Sequence, residues 1–232
     1  SINHYGNVGI GTISPDGKLE VEGSTAGTYI RVKGTAADGY RHGYELQNTH
    51  TGGRTWSMFT TNNSDGAFGG GKLVFSNVGA DSATVANSPL IINDSGNVGI
   101  GVVPETSGSN YNVLQIGQGG SLMAPTATED MYVGSNVYRN ASNTNSYIVT
   151  AQASIYEQYN GEHYFNVAPS GSADAAISFT QGMKISNAGR VTKPLQPSFR
   201  AYKNSISSTS GSNVTWTGTF HNTGGHFNVS NG

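Results

Sequence analysis

The chain has 232 residues with a formal net charge of −2, and only 11% of them are Asp, Glu, Lys or Arg, where soluble domains average about 25%. So weak and balanced a charge gives no electrostatic footprint for nucleic acid, and the absence of cysteine excludes disulfides and thiolate metal sites. The 33 glycines are about twice the usual share of about 7%, yet Tyr, Val, Ile and Thr recur throughout, which suits strands joined by tight turns rather than disorder.

The chain begins Ser1-Ile2-Asn3-His4 rather than with Met and reads as a piece of a longer protein. It has no apolar run long enough for a membrane-spanning helix and no basic segment leading into an apolar one, so neither membrane insertion nor a signal peptide is expected. The first predicted element is the return strand of a hairpin, Gly6-Asn7-Val8-Gly9-Ile10-Gly11-Thr12-Ile13-Ser14-Pro15. It recurs as Gly96-Asn97-Val98-Gly99-Ile100-Gly101-Val102-Val103-Pro104, and in decayed form from Met183 to Val191. Ile2, Ile92 and Ile185 each stand four residues before the turn glycine, and those glycines, Gly6, Gly96 and Gly189, are 90 and 93 positions apart. A fixed period of this kind marks repeated modules.

From Leu90 to Val98 an apolar run meets Asn93-Asp94-Ser95-Gly96, a turn in which glycine supplies positive φ, and a second strand follows. In that strand Val98 and Ile100 alternate with Gly99 and Gly101, so one face is apolar and the other carries no side chains. A bare face admits another backbone closely. A lone chain gains little from this. Three chains around one axis would pool Val8, Ile10, Val98 and Ile100 into a shared trimer core.

Pro15-Asp16-Gly17 leads into a strand from Lys18 to Val21. Further strands are expected at Tyr29 to Lys33, Gly43 to Asn48, Thr55 to Thr60, Lys72 to Ser76, Val113 to Gly117, Met131 to Tyr138, Ser146 to Ser154, His163 to Val167 and Ala176 to Phe179. Ala80 to Ala86 reads as a loop, and no ten-residue stretch has helical period. The expected fold is all-β: an elongated homotrimeric fibre of small β-sandwich or β-prism modules. Residues 1–14 would end a preceding module, 15–101 and 102–193 would form two repeats, and 194–232 would open a C-terminal domain.

Few constellations suggest chemistry. Gly66 to Lys72 has the glycine and lysine spacing of a phosphate loop, but Leu73 stands where Ser or Thr must hold magnesium, and the segment reads as a glycine-rich hairpin turn. The repeat's glycines lie between two strands and precede no helix, unlike a dinucleotide fingerprint. The histidines, His4, His42, His50, His163, His221 and His226, form no close ligand pair; threefold symmetry would favour His4, but no metal or cofactor is expected. Asn62, Asn140, Asn213 and Asn228 match the glycosylation triplet, as chance allows in so Asn-rich a chain. No nucleophile stands out, so no catalytic residue is nominated. The densest aromatic and acidic patch runs from Tyr156 to Tyr164 around Asn160-Gly161, a hairpin signal. Exposed Tyr156, Tyr159 and Tyr164 would stack on sugar faces while Glu157 and Glu162 accept hydroxyl donors, which makes this hairpin the candidate glycan contact.

The string Gly6 to Pro15, followed by Lys18-Leu19-Glu20-Val21, resembles the repeated linker module of phage tail fibres and related trimeric surface fibres; residues 90 to 104 match it without the Thr and Ser, and 183 to 194 match loosely. Pro197-Ser198-Phe199-Arg200-Ala201-Tyr202, Val214-Thr215-Trp216 and Gly224-Gly225-His226-Phe227-Asn228 are similar to the first strands of the complement and tumour-necrosis-factor-like jelly roll, itself a trimeric sandwich that caps such fibres, here only in part. The resemblance implies a structural and adhesive, non-enzymatic component of a virion, extracellular in location. It would be a homotrimeric shaft that joins other tail proteins and presents a tip to a host cell-surface glycan or protein. The alternatives are a polysaccharide-degrading tailspike and a bacterial extracellular filament or adhesin.

Overall fold

A computed structural model describes residues 1–23, 28–35, 41–202 and 218–223, with the backbone alone for Phe199, Ala201 and the last of these segments. Among the described residues the fold is all-β, with eighteen strands and two single turns of 3₁₀ helix. The chain divides into two compact units, Ser1–Asn87 and Ser88–Gly232. The boundary read from the repeat, after residue 101, lies one hairpin further along. In the structure that hairpin shares a sheet with the strands that follow it.

The N-terminal unit opens with a parallel pair, β1 (Val8–Ile10) and β2 (Leu19–Val21). An antiparallel meander follows, made of β3 (His42–Gln47), β4 (Thr55–Thr60) and β5 (Leu73–Ser76). Alternation along β4 and β5 turns Ser57, Phe59, Val74 and Ser76 inward, where all four are buried. The chain's own loops cover that face. Arg41 lies 5.0 Å from the ring centres of both Phe59 and Phe68. It forms a buried fork with Asp65 (2.7 and 3.2 Å) and donates to the carbonyls of Ala80 and Ala83. One guanidinium thus ties the 61–72 loop and the 3₁₀ turn Ala80–Ser82 to the sheet. The glycine-rich segment from Gly66 to Lys72 is the loop between antiparallel strands, with Gly69 and Gly71 both at φ 70°.

Two expectations for this unit need correction. Tyr29 to Lys33 is not a strand: it runs beside β3 without ladder pairing, and the Tyr44 hydroxyl donates to the Ile30 carbonyl at 3.2 Å. Tyr29, Ile30 and Val32 are all exposed. β-propensity favours extended backbone but does not provide a partner edge. Ala80 to Ala86, read as a loop, contains the two 3₁₀ turns, the second at Val85–Asn87.

The C-terminal unit contains β6 (Leu90–Ile92), β7 (Val98–Ile100), β8 (Tyr111–Ile116), β9 (Gly120–Pro125) and β10 (Met131–Ser135). A short ribbon, β11 (Tyr138–Arg139) with β12 (Asn145–Ser146), stands apart. The long hairpin β13 (Ala151–Tyr159) and β14 (Glu162–Gly171) comes next, then β15 (Thr180–Ile185) and β16 (Val191–Thr192). Within this unit the sheet order is β6-β7-β8-β9-β10-β13-β14-β15-β16, antiparallel except for the parallel β7–β8 pair. A separate antiparallel pair, β17 (Ser198–Tyr202) and β18 (Gly218–Thr223), begins where the jelly-roll resemblance does. Val214 to Trp216, Gly224 to Asn228, and Asn213 and His226 lie outside the described residues.

The core of this unit lies under one sheet face: Val113, Met123, Tyr132, Ala153, Ile155 and Ala168 meet Val137 and Tyr147 from the β10–β13 connection, with Ile177 and Phe179 packed against them. That packing explains why Ala176 to Phe179, expected as a strand, makes only one isolated bridge to Ser146. Its apolar side chains serve the core, and pairing begins at Thr180.

Candidate functional site

Two places carry the functional expectations: the repeat hairpin and the β13–β14 hairpin. The repeat is a structural repeat as well. In the first copy the Asn3 side chain accepts from the amides of Tyr5 and Asn7, and in the second Asn93 accepts from Ser95 and Asn97. Asn7 and Asn97 each donate, at 3.3 Å, to a carbonyl eight residues on, at Pro15 and Glu105. In the third copy the Ser186 hydroxyl takes the acceptor role toward Arg190. The turn glycines hold φ of 71°, 81° and 76°, in the left-handed region that glycine occupies without strain. The sequence reading took the isoleucine four before each glycine as the mark of the repeat. The asparagine three before it in the first two copies organises the turn through its side chain, as Asn side chains commonly bond to backbone nearby.

After the turn in the first two copies the chain passes a proline and returns as a strand parallel to the repeat strand, with Val8 opposite Leu19 and Val98 opposite Leu114. This return takes the bare glycine face. A Cβ on Gly99 would collide with the Val102 carbonyl and lie 2.8 Å from Pro104 Cδ; one on Gly9 would lie 2.5 Å from the Thr12 carbonyl oxygen. The close backbone approach assigned to neighbouring chains is therefore made by the chain itself. The opposite, apolar face stays open: Ile10 is 56% and Ile100 41% exposed, with Val8 and Val98 half-buried.

Register extends that open face across the C-terminal sheet. Ile92 stands opposite Val98, Val98 opposite Leu114, Leu114 opposite Leu122, and Leu122 opposite Val133. The row continues from Val133 to Tyr156, from Tyr156 to Phe165, and from Phe165 to Met183. Eight strands thus contribute one directly opposed apolar residue each. The charged residues of these strands, Glu157, Glu162 and Lys184, all fall on the other face by alternation.

The β13–β14 hairpin forms as its Asn-Gly pair predicts, with Asn160 at φ 52° and Gly161 at φ 72°. Its glycan candidates are divided between the two faces. Tyr156 lies in the apolar row, stacked on Phe165 at 4.9 Å and hydrogen-bonded to His163 Nδ1 at 2.6 Å. Glu157, Tyr159, Glu162 and Tyr164 share the opposite face, because Glu157 opposes Tyr164 and Tyr159 opposes Glu162. There Glu162 pairs with Lys184 at 2.7 Å and accepts from the Tyr164 hydroxyl, while the Lys184 ammonium sits 4.9 Å from the Tyr164 ring centre. These bonds, from Lys184 first, hold the Glu162 carboxyl below its ordinary range. Burial pushes Glu157 up, against the opposing effects of the Arg139 charge and a bond from Asn166 at 3.1 Å. The partners of the two carboxyls lie in different directions: Asn166 is two residues beyond Tyr164, away from Glu162.

No protein-family model matches the chain, and no curated protein matches it.

Elsewhere, among the described residues, no group of three or more His, Asp or Glu is arranged to hold a metal ion, and no helix is long and apolar enough to cross a membrane. The N-terminal unit has one further feature. Tyr44, Leu46, Trp56, Met58 and Phe75 surround an apolar hollow of about 470 Å³. Leu46 is 75% exposed there.

Proposed function

We propose that this chain is a structural and adhesive component of a bacteriophage tail fibre, a homotrimeric shaft that presents a receptor-binding tip, and that it has no catalytic activity. The observation that carries this reading is the repeat hairpin: in the first two copies the chain itself crowds Gly9 and Gly99 yet leaves Ile10 and Ile100 open to solvent. Burial of a side chain of this size is worth about 1.5–3 kcal/mol, and identical neighbours along a fibre provide that burial at every repeat. The exposed Tyr159 with the half-buried Glu162 and Tyr164 beside it is the glycan contact in this reading, weak singly and strengthened by threefold repetition.

Light scattering tests the assembly. The chain mass is 24.2 kDa, and the trimer gives three times that value. A particle of single-chain mass at micromolar concentration refutes the shaft. The specific observation favouring a polysaccharide-degrading tailspike is the pair of oppositely shifted carboxyls, Glu157 and Glu162, since divergent carboxyls mark acid and base roles. Release of new reducing ends from host surface polysaccharide would establish that alternative and overturn the non-catalytic reading.

A further inference from the structure

We infer that the uncharged face of the C-terminal sheet is a self-association surface, and that it is covered by the same face of the other copies of this chain, met around the threefold axis. The inference rests on the oligomeric reading above and specifies which surface the copies share. It replaces the narrow seam of repeat valines and isoleucines with a surface eight strands wide.

The first argument is size. Eight strands at about 4.8 Å spacing span roughly 34 Å, and on most of them a second apolar residue, such as Ile100, Ile116 or Val167, stands two positions from the row, about 7 Å along the strand. The resulting area, roughly 300 Å² in projection, is of the size at which an exposed apolar patch marks an interaction site and makes the apolar centre of an interface of roughly 800 Å² per partner. Ile100, Ile116, Val133, Phe165 and Val167 on this face are 41, 51, 42, 38 and 53% exposed.

The second argument is chemistry. With Glu157, Glu162 and Lys184 all on the other face, this one has no ion for a charged partner to recognise. It does have relief: a depression of about 260 Å³ bounded by Val98, Leu114, Leu122 and Met131 lies among the protruding side chains. Protrusions and a hollow on one patch let identical copies interlock around a threefold axis, since each copy offers its neighbours both parts. Tyr156 and His163 fit the same picture, because the Tyr156 hydroxyl and the Nδ1 of His163 satisfy one another at 2.6 Å.

The third argument is recurrence. The meander β3–β5 of the N-terminal unit, which lies outside the repeat hairpin, also presents an uncharged outer sheet face, with Tyr44, Trp56 and Met58 exposed around its own hollow. A receptor needs one site. A feature present in both modules calls for a cover that is itself repeated module by module, and the other copies of the chain supply it.

The test uses the full chain, with mass by sedimentation. Wild type is expected as an oligomer at micromolar concentration. Val133→Arg is expected as a 24.2 kDa particle with an unchanged far-ultraviolet spectrum and association weakened about a hundredfold or more, since a charge buried without a partner is costly. Ala127→Arg, on an exposed loop, should keep the wild-type mass. As a milder probe, Ile116→Cys introduces the only thiol in this cysteine-free chain. That thiol should react with a maleimide at least about tenfold more slowly than the thiol of Ala127→Cys, as burial in an interface requires. An oligomeric Val133→Arg, or a freely reactive thiol in an oligomeric Ile116→Cys, overturns this surface and leaves the fibre reading intact. A monomeric wild type overturns both. A monomer whose thiol is shielded only when cell-envelope extract is added assigns the face to another macromolecule and also overturns the inference.

Discussion

Removing the Asp65 carboxylate should unfold the N-terminal unit selectively. The side chain is 1% exposed, and it accepts from Arg41 at 2.7 and 3.2 Å and from the amides of Ala67 and Phe68 at 3.0 and 3.1 Å. Asp65→Ala strands a guanidinium held between two phenyl rings. Breaking a buried pair in this way costs about 3–5 kcal/mol, a large part of the 5–15 kcal/mol that stabilises a typical domain. The double variant Arg41→Met, Asp65→Ala should cost less than the two single changes added, with about 1–3 kcal/mol of coupling. Urea titration followed by Trp56 fluorescence in a Trp216→Phe background reports on this unit. Titration with acid gives a second reading. Burial raises the Asp65 pKa, but the bond and charge from Arg41 and the two amides outweigh it, so the value is lowered. A lowered folded value means stability fully present above about pH 4, the ordinary carboxylate value, and lost as pH falls through the folded value. Asp65→Asn should remove that acid-dependent component. A cost below about 1 kcal/mol for Asp65→Ala, the range of exposed pairs, would refute the reasoning.

Gly99→Ala should destabilise the C-terminal unit by about 1–3 kcal/mol in chemical denaturation, because the added methyl meets the Val102 carbonyl and Pro104 rather than space; Gly96→Ala would report the different effect of a positive φ with open surroundings. The Glu162 carboxyl, followed by NMR, should titrate below the usual value near 4.3 and return toward it in Lys184→Met, since the Lys184 bond is its main cause.

Local chemistry was the legible part of this sequence. Asn160-Gly161 and Asn93 to Gly96 fixed their turns through glycine and asparagine conformation alone, and the strands flanking them followed. Pairing direction was not legible: β7 and β8 are parallel, but a period of two is the same for parallel and antiparallel neighbours. Nor was the cover on Gly99, which depends on where Pro104 turns the chain. The division of the Tyr156 to Tyr164 patch was available in principle, since neighbours on a strand face opposite ways. Tyr156 and Glu157 were grouped by proximity along the chain, and register separates them. The eight-residue row needed the whole sheet order, because no two of its members from different hairpins are linked by any local signal.

The closed circuit of bonds in each repeat hairpin bears on how such a chain changes over generations. From Asn93 to Glu105 the side-chain bonds that shape the turn stay within a dozen or so residues, as they do from Asn3 to Pro15. A duplication or deletion that cuts between two such hairpins leaves both knots tied. Length is then free to vary in whole steps, and selection acting on reach need not renegotiate folding each time.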